Sequence, residues 1–111
     1  MGYRRSTRKK GFREIRIWQK ARDLATYIYK ITDSPSFKKD YGLRNQIRRA
    51  AVSIPSNIAE GDKRDTNKES VRFLYIANGS LAELLTQFEI SKAIGYISND
   101  EFEYIELLIF A

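Results

Sequence analysis

The chain contains no cysteine and no histidine. Without cysteine it has no disulfide, no thiolate metal site and no thiol nucleophile. Without histidine the commonest general base and metal ligand is also missing. Proline occurs twice and glycine six times in 111 residues, so little interrupts long helices. No stretch reaches the roughly eighteen consecutive apolar residues of a membrane span. The basic N-terminus is followed by no apolar run, so it does not read as a secretory signal. A soluble, cytoplasmic, single-domain protein is expected. Its 42% hydrophobic residues suit one modest core, and its 31% charged residues a solvated surface.

What is present is charge, unevenly placed. The formal charge is +6, yet residues 1–20 hold eight Lys or Arg against Glu14 alone, leaving −1 for the remainder. From Glu83 onward Lys92 stands against six acids. A basic head and an acidic tail make two different surfaces. Residues 1–13 show no hydrophobic periodicity and read as a flexible basic arm ahead of a domain over 14–111. Arg4, Arg5, Arg8, Lys9, Lys10 and Arg13 suit non-specific contact with a nucleic-acid backbone. Tyr3 and Phe12 suit stacking on bases, each contact worth about 1–3 kcal/mol. The plain alternative is a solubilising tail.

Hydrophobic spacing divides the domain into four helices. Ile17, Ala21, Leu24, Ile28 and Ile31 step by three and four, predicting a helix over about Glu14–Thr32. DSPSF, residues 33–37, reads as a turn, because Ser34 before Pro35 disfavours further helix. Leu43, Ile47, Ala50, Ile54 and Ile58 mark a second helix that ends near Gly61 in a left-handed C-cap. Thr66 and Glu69 have capping-box spacing before a third, which carries Leu74, Ala77, Leu81, Leu84 and Phe88 and ends at Gly95. Ser98 and Glu101 form a second box before Phe102, Ile105, Leu108 and Ile109. Four helices with short connections predict an all-α, antiparallel up-down four-helix bundle.

Pro55 sits inside the second pattern, where a proline removes a hydrogen bond and costs about 3 kcal/mol. Either the helix continues with a kink, or it restarts with Ser53 as N-cap and Pro55 in the first turn. The periodicity crosses Pro55 without slipping, which favours the kink. Its purpose is then structural: a bent helix wraps its neighbours.

The segments WQKARDLATYIYKIT (18–32), YGLRNQIRRAAVSIPSNIAEG (41–61) and RFLYIANGSLAELLTQFEISKAIGYIS (72–98) carry a resemblance. They resemble the small four-helix-bundle proteins first known from intervening sequences in bacterial 23S rRNA genes. The likeness covers nearly all of the chain after Arg13, and IRRAAVSIPSNIAEG is its most specific part. The resemblance implies a four-helix protomer and, from related proteins, a ring of five. A distant branch of similar fold serves the reverse transcriptase of diversity-generating retroelements, where a basic ring surface contacts nucleic acid. No established reaction comes with the resemblance. It also implies a longer fourth helix than the pattern stopping at Ala111, which reads as a truncation or frameshift.

Arg44 and Arg48 share a helix face, with Arg49 beside them, and Lys63, Arg64, Lys68 and Arg72 follow in the next connection and helix. Arginines in line suit bidentate phosphate contacts and counterion release from a polyanion. The plain alternative is a solvated face offset by Glu60, Asp62, Asp65 and Glu69. Trp18, Tyr27 and Tyr29 read first as packing or interface aromatics. Asn57 and Glu60, one turn apart, are expected to hydrogen-bond Arg48 or the start of another helix, making Pro55, Asn57, Glu60 and Gly61 structural. Ser53, Ser56 and Ser80 have no histidine to activate them. The acids lack the Glu-x-x-His pairs of bundle di-iron sites. No catalysis, metal or cofactor is therefore expected.

The overall expectation is a non-catalytic, self-associating bundle that binds RNA or DNA non-specifically. The alternative is a protein-binding scaffold or accessory subunit, for example of a reverse transcriptase. Helix lengths add a further expectation. Residues 67–94 span about 42 Å and residues 99–111 only about 20 Å at about 1.5 Å per residue. Apolar side chains on the longer helices are then left exposed, favouring a homo-oligomer, with a pentamer as the family-based arrangement.

Overall fold

Helix starts leave backbone donors open, and at three of its helices this chain closes them with its own side chains. The computed structural model describes residues 11–110. Among these are five α-helices and no strand: α1 (Arg16–Ile31), α2 (Pro35–Lys39), α3 (Tyr41–Asp62), α4 (Asn67–Ala93) and α5 (Asn99–Phe110). The Thr66 hydroxyl accepts from the Glu69 N–H at 3.2 Å and caps α4. The second box is complete: Glu101 N–H donates to Ser98 Oγ at 3.0 Å, and Ser98 N–H donates to Glu101 Oε1 at 2.8 Å. Gly95, at φ 82°, ends α4 as the spacing predicts. Its N–H reaches the Lys92 carbonyl (3.1 Å), and the Tyr96 N–H reaches that of Ser91 (2.8 Å), a Schellman end.

Three expectations are corrected. DSPSF is not simply a turn, because Pro35 opens the one-turn helix α2, where its fixed φ and missing N–H are tolerated. That turn buries Phe37 completely, edge-on to the Tyr96 ring at 5.3 Å. Gly61 is not a left-handed cap: α3 runs on to Asp62, and only Gly11 and Gly95 have positive φ among the described residues. A Cβ at Gly61 would lie 3.1 Å from the Ser70 carbonyl oxygen and 3.3 Å from Phe73 Cβ, so close approach of α4 is the reason for glycine there. Lastly, residues 11–13, expected in the arm, belong to a 3-10 helix, Gly11–Glu14, whose Phe12 packs edge-on to Trp18 at 5.1 Å.

Pro55 lies in a continuous helix, so the restart does not occur. Ser53 is no N-cap. Its hydroxyl meets that of Ser80 on α4 at 2.8 Å and accepts from Asn57 Nδ2 at 2.9 Å. The same amide donates to the Ser53 carbonyl at 2.7 Å. Asn57 thus braces a polar link between α3 and α4 two residues from Pro55.

The predicted apolar stripes form the core, apart from Ile17 and Leu74, which are exposed. Ile28 of α1, Ile47 of α3, Leu84 and Phe88 of α4 and Ile105 of α5 are fully buried. The most extensive helix contact is α3 with α4, followed by α1 with α3, while α5 rests on α4. Asp40 joins two parts of this frame. Its Oδ1 accepts from the Leu43 N–H (3.2 Å), capping α3, and its Oδ2 accepts from the Tyr96 hydroxyl (2.9 Å).

Candidate nucleic-acid interface

Two of the three arginines expected on a phosphate-binding face are engaged within the chain. Arg48 Nε donates to Thr32 Oγ1 at 2.9 Å, and Nη2 donates to the Tyr29 carbonyl at 3.1 Å. The guanidinium lies 4.3 Å from the centre of the Tyr29 ring. Arg44 and Arg48 also approach the Asp33 carboxylate at 3.6 and 3.8 Å. The last carbonyls of α1 have no intrahelical donor, and the dipole there favours a cation, so Arg48 completes the end of α1 with Arg44 beside it. Both side chains are less than one-fifth exposed. Arg49 points to solvent.

The other candidates separate as well. Arg4, Arg5, Arg8, Lys9 and Lys10 lie outside the described residues. Arg13 is exposed, with its guanidinium 5.3 Å from the Phe12 ring. Glu60 pairs with Arg64 at 3.2 Å rather than with Arg48, and its half-exposed carboxylate is no buried charge.

The arrangement that spacing alone did not single out is a groove of about 600 Å³ between α1 and α3. Trp18, Arg22, Thr26 and Tyr29 come from one stripe of α1, stepping by four, four and three. Val52, Pro55, Ser56 and Ala59 come from the facing stripe of α3. Small side chains, Ala25, Ser56 and Ala59, leave the trough open between the rings. Phe12 extends the aromatic line past Trp18.

Cations accompany every ring. Arg22 lies 5.3 Å from the Trp18 ring and Lys63 5.8 Å from Phe12, in addition to Arg13 and Arg48. Arg49 precedes Val52 by three residues, which puts it on the same α3 stripe. Arg22 is offset by Asp23 at 3.0 Å. Arg13, Arg49 and Lys63 take part in no ion pair among the described residues. Tyr27, grouped in sequence with Trp18 and Tyr29, faces elsewhere and meets Tyr104 edge-on at 5.2 Å. Its hydroxyl pKa is raised, first by burial and then by Glu101 and Tyr104. A helical wheel of α1 separates Tyr27 from the other two, and that was the signal available in the sequence.

A second open surface is apolar, a groove of about 620 Å³ where α1, α3 and α4 meet the end of α5. Leu24, Ile58, Leu81 and Leu108 line it, with Arg16 and Lys20 at its edge. Ile17 (56% exposed), Leu74 (44%) and Phe110 (70%) lie open as the helix lengths anticipate. No described helix is long and apolar enough to cross a membrane, and no described group of three or more acids could hold a metal ion.

These features define an all-α protein organised on α1, α3 and α4, with an aromatic, cation-flanked groove on one side and an apolar groove on another. The family model described as 23S rRNA-intervening sequence protein matches residues 13–110, and the chain belongs to that family. No curated protein matches it.

Proposed function

We propose that this chain is a non-catalytic, self-associating helical protein that binds RNA or DNA non-specifically through phosphate contacts. The observation that carries this reading is the set of exposed cations without ion-pair partners among the described residues, Arg13, Arg49 and Lys63, around the α1–α3 groove. Charge neutralisation of phosphates releases counterions and needs no base-specific contact. The cations of residues 1–10 add to the same potential. The family's description refers to 23S rRNA, which makes RNA the first ligand to test. The reading implies a cytoplasmic protein.

The protomer is read as an antiparallel up-down four-helix bundle of α1, α3, α4 and α5, with Pro55 bending α3. Support comes from Phe12 beside Lys63 and Tyr29 beside Arg48, which bring opposite ends of α1 and α3 together. The apolar groove supports self-association, and a ring of five is the arrangement to test first. The same groove favours a second reading, an accessory subunit docking on another protein such as a reverse transcriptase.

The test is binding of labelled RNA and DNA at rising salt. Affinity should fall steeply between about 50 and 200 mM salt. Reversing Arg13, Arg49 and Lys63 to Glu, or deleting residues 1–10, should weaken binding and flatten that slope. A protein that retains neither RNA nor DNA at low salt overturns the proposal in favour of the scaffold.

A further inference from the structure

We infer that the groove between α1 and α3 receives single-stranded nucleic acid, with unpaired bases stacked on Trp18 and Tyr29, so that single strands are preferred to duplex. The inference rests on the nucleic-acid reading above and adds what that reading leaves open, the strandedness of the ligand. Trp18 and Tyr29 are eleven residues apart on one helix, about 16 Å along its axis. Tyr29 stands outside the core, and Trp18 packs only in part against it. Tyr29 remains 42% exposed although Arg48 lies against its ring, and Trp18 is half-buried. The trough between them is floored by Ala25, Ser56 and Ala59, so flat rings can lie against it without displacing a side chain.

Duplex bases are already stacked on one another and offer a protein mainly phosphates and groove edges. Unpaired bases have free faces, and aromatic side chains stack on them with little regard for sequence. Cations stand where a backbone entering and leaving such a trough would run: Arg49 beyond Val52, and Lys63 and Arg13 around Phe12. An aromatic groove also suits a proline-rich peptide. Cations at both ends, without ion-pair partners among the described residues, favour a polyanion instead.

Trp18 is the only tryptophan, so its emission reports on the groove directly. The full chain is titrated with a short oligouridylate, a hairpin duplex of similar length and a polyproline peptide. Trp18 fluorescence is read beside the anisotropy of the labelled oligonucleotide. The single strand should quench Trp18 over the same concentration range as the anisotropy rise, and the duplex should bind more weakly with little quenching. Tyr29→Leu should lose about tenfold or more in single-strand affinity, and Tyr29→Phe should retain it. The Arg48 hydrogen bond uses the Tyr29 backbone carbonyl, so both variants keep it, and Tyr29→Phe also keeps the ring contact with Arg48. Oligonucleotide binding without a change in Trp18 emission, or equal affinity for duplex, overturns the stacking inference and leaves the charge-based proposal standing. Absence of all nucleic-acid binding overturns both. Quenching by polyproline and not by oligouridylate overturns the inference in favour of a peptide groove.

Discussion

Arg48→Ala separates a structural arginine from a ligand-binding one. The substitution removes two charge-assisted hydrogen bonds, to Thr32 Oγ1 and the Tyr29 carbonyl, and the contact with the Tyr29 ring. Hydrogen bonds to charged groups are worth about 1.5–3 kcal/mol each, and a cation over a partly exposed ring about 0.5–1 kcal/mol. Part of this is recovered in the variant. Thr32 Oγ1 still donates to the Ile28 carbonyl at 2.7 Å, and water reaches the exposed Tyr29. The Asp33 contact, at 3.8 Å to a carboxylate 61% exposed, adds little. A net loss of about 2 kcal/mol follows, which for a domain of this size lowers Tm by roughly 8–16 °C. Arg49→Ala is the control, because an exposed side chain of this kind shifts stability by less than about 0.5 kcal/mol. Both are melted by circular dichroism at one protein concentration and salt. An Arg48→Ala protein that melts within a few degrees of the parent would refute the reasoning and return Arg48 to the phosphate-binding candidates.

Pro55→Ala supplies an N–H for the carbonyl of the buried Ala51 and should raise stability by about 1 kcal/mol in urea unfolding; a variant that does not fold would show that Pro55 does more than interrupt a hydrogen bond of α3. Gly79→Ala should stabilise by about 0.8–1 kcal/mol, since nothing lies within 4 Å of the new Cβ, whereas Gly61→Ala should gain nothing against the Ser70 carbonyl. The urea midpoints of the two variants test that contrast. The Tyr96 hydroxyl has its pKa raised above 10.0, first by its hydrogen bond to Asp40, then by burial and the Asp40 charge. Because the folded value lies above the unfolded one, this contribution is complete below pH 10 and disappears as pH rises through the folded value. Tyr96→Phe should therefore flatten the decline in Tm above pH 10, and identical declines would show that the bond is unimportant. Light scattering at tens of micromolar protein should find an oligomer; a well-folded monomer would mean that the apolar groove needs no cover.

The sequence by itself determined what depends on neighbours a few residues apart. Four long helical patterns were readable because apolar side chains at three- and four-residue steps share a face. The Thr66 cap, the Ser98–Glu101 box and the Gly95 ending were readable because capping closes within one turn. α2 was not, because five residues hold too few periodic positions and their stability comes from burying Phe37 beside Tyr96, far along the chain. Gly61 was misread for the same kind of reason: its lack of Cβ serves the approach of Ser70 and Phe73 on the next helix, not a local turn. Arg48 was legible as a surface cation, yet its partners Thr32 and Tyr29 lie 16 and 19 residues away. The α1–α3 groove is the fullest case. Its aromatic stripe is written in the spacing of Trp18 and Tyr29, but the trough exists only where packing sets the small side chains of α3 opposite it. Spacing within a helix decides which side chains share a face, whereas the surface that face meets is decided by contacts between segments that the chain brings together only on folding.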